Sequence, residues 1–133
     1  MMSRTELREH IFRMLFRIEF NSVEEMKEQE GLYFEDLEEA TGKDQEYILN
    51  KYRAIVEKKD EIDELINKVT EGWKTNRMNR VDLTILRLAT YELKWDEDVP
   101  LGVAINEAVE LAKKYSSDEG PSFVNGVLAK VVK

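Results

Sequence analysis

Between Arg80 and Trp95, apolar side chains fall on most of a helical circumference: Val81, Leu83, Ile85, Leu86, Leu88, Tyr91, Leu93 and Trp95. A helix apolar on most sides needs other elements around it, so this stretch predicts a central helix. Its narrow polar gap holds Arg87, Thr90 and Lys94, at i, i+3 and i+7.

The rest of the chain is periodic in the same way. Residues 3–20 predict a first helix with Ser3 as N-cap and Glu6 closing a capping box. Leu7, Ile11, Met14, Leu15 and Ile18 form one apolar stripe on it, and Phe12, Phe16 and Phe20 form a second. Two stripes predict a helix clamped between two groups of neighbours. Ser22, with Glu25, opens a helix running to about Ala40 and stopping at Gly42. Residues 44–57 and 60–70 give two more, ended by Gly72. Trp73 to Arg80 reads as a basic linker with Asn79 as the N-cap of the central helix. Residues 102–115 are amphipathic, with the small Ala104, Ala108 and Ala112 inward, where helices can approach closely. After a loop from Ser116 to Pro121, a last helix carries Val124, Val127, Leu128 and Val131 on one face. Strand-like alternation is absent, and the expectation is an all-α chain of about seven helices.

Composition narrows the chemistry. The chain has 133 residues, no cysteine and one histidine, His10, which excludes thiolate sites, cysteine nucleophiles and multi-histidine metal sites. The missing cysteines fit a reducing cytoplasm, and no apolar run approaches the roughly 18 residues of a membrane span. The net charge of −8 argues against nucleic acid as a partner until its distribution is considered. Residues 21–72 hold sixteen acids against seven bases, net −9, whereas residues 73–133 hold nine of each and residues 1–20 are net +1. A surface built from the two ends can therefore be basic.

No phosphate loop, HExxH or GxSxG motif is present, and acidic pairs such as Asp60/Glu64 fall in charged helix faces. His10 reads as a structural histidine, since no nucleophile accompanies it. The informative residues are aromatic or basic. Phe123 lies about 90° from the centre of its helix's stripe, behind Gly120-Pro121. It either stacks on an unpaired base or closes the core. Arg87 either meets phosphate or pairs with an acidic neighbour. Arg4 and Arg8, one turn apart, either track a nucleic-acid backbone or form a solvated first turn.

Three blocks take the reading further. Asp98-Val99-Pro100 leads into Val103-Ala104-Ile105-Asn106-Glu107-Ala108-Val109-Glu110-Leu111-Ala112-Lys113. Downstream stands Ser122-Phe123-Val124-Asn125-Gly126-Val127-Leu128-Ala129-Lys130, and upstream Leu86-Arg87-Leu88-Ala89-Thr90-Tyr91-Glu92-Leu93. Together these blocks closely resemble the bacterial transcription antitermination factor family NusB, whose motifs read DVP, VAINEAxELAK, KFVNGVLDK and LRLAxYEL. The resemblance implies one RNA-binding domain over residues 1–133, built as two roughly orthogonal three-helix bundles sharing a core. These would span about 1–72 and about 73–133. It implies pairing with NusE, a small-subunit ribosomal protein, and binding of the single-stranded boxA element of nascent, notably ribosomal, RNA. With other Nus factors, the pair would help RNA polymerase read through terminators. Neither catalysis, a metal nor a cofactor is implied, and the expected location is cytoplasmic.

Carried over by position, the resemblance puts Arg4, Arg8, Arg87, Lys113, Glu119 and Phe123 on or near the RNA face. It puts Asp82, Tyr91 and Glu92 toward NusE. The basic arm is thin here: Thr5 and Glu6 stand where arginine is usual, and Gly120-Pro121-Ser122 replaces polar residues ending in lysine. Asp82 also has a local explanation, because an acid in a helix's first turn complements the macrodipole. Two other readings compete. One is the RNA-binding domain of a ribosomal RNA cytosine methyltransferase, which expects a methyl-donor-binding domain beyond Lys133. The other is a helical protein-interaction module with little RNA binding.

Overall fold

A computed structural model describes residues 1–72 and 74–133. Trp73, the first residue of the expected basic linker, lies outside the described residues. The described elements are α1 (Arg4–Phe16) with a 3₁₀ turn (Arg17–Glu19), α2 (Val23–Glu35), α3 (Gly42–Glu57), α4 (Lys59–Val69), a second 3₁₀ turn (Thr75–Arg77), α5 (Arg80–Trp95), α6 (Leu101–Tyr115) and α7 (Gly120–Val131). The all-α expectation holds, with seven α-helices and no strand among the described residues.

The chain divides into two compact units, Met1–Val56 and Glu57–Lys133. The boundary falls before α4, not near residue 72. In the second unit α4 packs on α5 and α7, which explains its grouping with the C-terminal helices.

Local chemistry sets the helix starts. Ser3 Oγ accepts the Glu6 N–H at 3.1 Å, and Glu6 Oε1 accepts the Ser3 N–H at 3.1 Å. Ser22 and Glu25 repeat the exchange at 3.2 and 2.8 Å. Each box satisfies two N–H groups that the helix leaves orphaned. The backbone and hydroxyl of the capping serine hold each glutamate below the usual carboxylate range. A third box, Thr41 with Asp44 at 3.1 Å in both directions, starts α3. Gly42 therefore begins a helix, although it was expected to end one, and α2 stops earlier, at Glu35.

In the first unit, Leu7, Ile11, Met14 and Leu15 are buried as the first stripe requires. The phenylalanine stripe behaves differently. Phe12 is buried, Phe16 is half-buried, and Phe20 is exposed, the three rings stepping outward at 6.2 and 5.1 Å. The helix tightens into 3₁₀ geometry after Phe16, and about three residues per turn breaks the four-residue register. In the second unit α5 is the central element, packed against α4, α6 and α7. Residues 82–90 of α5 are all buried. Ala104, Ala108 and Ala112 are buried on α6, which packs against both α5 and α7.

Candidate nucleic-acid interface

In the second unit the starts of α5 and α7 enclose a cleft of about 290 Å³. Asn79 contributes from the cap of α5, where its Oδ1 accepts the N–H groups of Val81 at 2.7 Å and Asp82 at 3.3 Å. Asp82, one turn in, is buried and accepts a hydrogen bond from Ser116 Oγ at 2.5 Å. This bond ties the loop before α7 to α5. Gly120 closes the contact: a Cβ there would overlap the Ser116 side chain and stand 3.2 Å from Asp82 Oδ1. Glu119 is exposed at the N-cap of α7, and Phe123, one turn further, is half-buried on the cleft wall. Met78 and Ser117 complete the lining.

The cleft thus combines an aromatic and a thioether wall with two carboxylates. Acids accept hydrogen bonds from amino groups and repel phosphate. Such a lining suits a flat base presented on its edge better than a phosphate. A wider groove of about 470 Å³ runs between α6 and α7 past Asn106, Ser122 and Asn125, and contains none of the residues that the resemblance puts toward RNA or NusE.

The other expected residues lie in several settings. Arg87 is buried in a two-point ion pair, its Nε and Nη2 each 2.9 Å from a carboxylate oxygen of Asp63 on α4. The structure thus realises the ion-pair alternative for Arg87. Asp63 carried no sequence signal, because the pair spans 24 residues and two helices. Lys113 is exposed and pairs with Glu110 at 3.2 Å. Tyr91 is half-buried and stacks on Trp95, whose ring also lies 5.5 Å from the Lys58 ammonium. Glu92 is buried on the same helix, so it does not present an exposed acid to a partner.

In the first unit Arg4 is exposed and donates from Nη1 to Tyr47 Oη at 2.9 Å, whereas Arg8 is buried. Of the two expected arm residues, only Arg4 presents its charge at the surface; burial turns Arg8 inward although it lies on the next turn. His10 is half-buried, its Nδ1 2.6 Å from Tyr33 Oη. Burial, with the charge of Arg13, lowers its pKa, which favours the neutral ring over the charged one. Among the described residues no group of acids and histidine could hold a metal ion, and no helix is long and apolar enough to cross a membrane.

An all-helical fold whose cleft pairs a half-buried aromatic with hydrogen-bonding acids falls in the class of all-α binding domains. The chain belongs to the NusB family, whose model matches residues 5–133. It is 54% identical over 131 residues to the transcription antitermination protein NusB of Lachnoclostridium phytofermentans, covering 98% of this chain and 99% of that protein. The NusB of Agathobacter rectalis is 53% identical over 129 residues, covering 97% and 98%. Among solved structures, T. maritima NusB superposes with a TM-score of 0.86 at 36% identity, covering 98% of this chain and 91% of that one. A chain from a crystal structure of the antitermination factors NusB and NusE in complex with dsRNA gives 0.82 at 26% identity, covering 97% and 95%.

Proposed function

We propose that this protein is a transcription antitermination factor that pairs with NusE and binds the single-stranded boxA element of nascent RNA, so that RNA polymerase reads through terminators. The observation that carries the reading is the whole-length likeness to NusB proteins, one of them from a structure containing NusE and RNA. The cleft adds a physical role. Phe123 offers a ring for an unpaired base, and the exposed Glu119 offers an acceptor for its amino group. Arg4 and Lys113, both exposed, supply charge for the backbone.

The protein acts by binding and performs no catalysis, and its place of action is the cytoplasm, beside the transcript. Mixing the purified chain with NusE and a boxA oligonucleotide tests the reading: a ternary complex in stoichiometric proportion is expected. A chain that binds NusE but leaves RNA affinity unchanged would favour the interaction-module alternative.

A further inference from the structure

The segment that leads into α5 is basic in an acidic chain. From Lys74 to Val81 it holds three bases, Lys74, Arg77 and Arg80, and no acid. Lys74, Asn76 and Arg77 are exposed on and beside the second 3₁₀ turn. That turn is pinned from two sides. The Thr75 N–H donates to Asn67 Oδ1 of α4 at 2.8 Å, and Lys74 Nζ donates to the Asn67 carbonyl at 3.2 Å. From α5, Arg80 Nη2 donates to the carbonyls of Thr75 at 2.7 Å and Met78 at 2.8 Å. A turn held in this way presents its outward side chains with little backbone ordering left to do on binding.

The charges on the turn are accessible. Lys74 gives its ammonium to a neutral carbonyl, and no carboxylate pairs with Arg77 among the described residues. The acids nearest in sequence are Glu71, exposed before the turn, and Asp82, buried beyond it with Ser116 as partner. Met78 and Asn79, which follow Arg77 directly, line the cleft together with Phe123, Asp82 and Glu119. The two carboxylates keep phosphate out of that cleft. A strand whose base enters it must therefore lay its phosphates on the rim, and the chain at the Met78 rim is cationic.

We infer that the turn from Lys74 to Arg77 is the phosphate shelf of the RNA site, where Arg77 and Lys74 receive the phosphates that flank the base held at Phe123. The inference rests on the RNA-binding reading above. The cleft takes an uncharged base and the shelf takes its charged backbone. Contacts on the shelf fix the register of the strand without reading its sequence. They also give a chain of net −8 a local positive field at the mouth of the cleft.

The test is a titration of a labelled boxA oligonucleotide with the full chain in the presence of NusE, by fluorescence anisotropy over a range of salt. Arg77→Gln should weaken binding about four-fold at physiological salt and flatten the slope of log affinity against log salt by about 0.7, the values for one contact on a single strand. Arg77→Gln combined with Lys74→Gln should flatten the slope by about 1.4 and weaken binding about fifteen-fold. A scrambled strand of the same length should lose affinity by the same factors, because phosphate carries no sequence. Lys27→Gln, which removes an exposed charge from α2, should leave the slope unchanged. Affinity for NusE without RNA should be that of the wild type in every variant. An unchanged slope in the double variant, an equal flattening in Lys27→Gln, a loss confined to the boxA sequence, or weakened NusE binding without RNA would overturn the inference alone. Absence of RNA binding by the wild-type chain with NusE would overturn the proposed function, and the shelf with it.

Discussion

At Phe123 and His10 a single side chain carries a measurable consequence. Phe123 is half-buried on the cleft wall. Phe123→Ala is expected to weaken RNA binding in the presence of NusE by about 1–3 kcal/mol. Its effect on stability should stay below the roughly 3–5 kcal/mol typical of a fully buried phenylalanine. Isothermal titration and a thermal melt on the same preparation separate the two effects. His10 makes a pH prediction. Its folded pKa is lowered, first by burial, so the unfolded chain binds its proton more readily than the fold does. The contribution of neutral His10 is therefore complete above its unfolded pKa and is lost as pH falls toward the folded one. Urea denaturation at pH 7.5 and 5.5 should show a larger acid loss in wild type than in His10→Gln. Equal losses in the two proteins would mean that His10 does not titrate differently in the fold.

Helices α4, α5 and α7 are held by polar links that the apolar stripes do not reveal. Arg87 and Asp63 join α5 to α4 through two charged hydrogen bonds in a buried setting. Arg87→Ala leaves the carboxylate of Asp63 without them and should lower stability by about 2–4 kcal/mol, read from chemical denaturation. Because the guanidinium is engaged, RNA affinity measured on the folded fraction should change little; a loss above ten-fold would assign Arg87 to the RNA after all. The junction of α5 and α7 has its own sensitive point. Gly120→Ala would press a methyl group against Ser116 beside Asp82, and overpacking of this kind typically costs about 1–3 kcal/mol. The melting temperature of that variant is the measurement, and a rise would show that the loop has room to yield.

For the molecule as a whole, net charge and its placement govern encounter. A protein of net −8 that binds RNA does so against its own long-range field, so unaided binding should be weak and fall steeply with salt. A basic partner that shares the strand should tighten binding and shift its midpoint to higher salt. Tight boxA binding by the isolated chain at physiological ionic strength would contradict this. The helices and their starts were legible in the sequence because the causes are local: apolar period, serine caps and a glutamate three residues on all act within one turn. Ser3, Ser22 and Asn79 cap where their neighbours predict. Thr41 follows the same rule through Asp44, although Gly42 had suggested an end. The family blocks near the C-terminus were equally readable, since they are contiguous. Only the tertiary structure decided what the polar residues do. Arg87 meets Asp63, Arg4 meets Tyr47 43 positions away, and Asp82 meets Ser116 34 positions away. Arg8 turns inward while Arg4, one turn earlier, stays at the surface. Helical spacing states which residues share a face, whereas the partner of a buried charge depends on which faces the fold brings together.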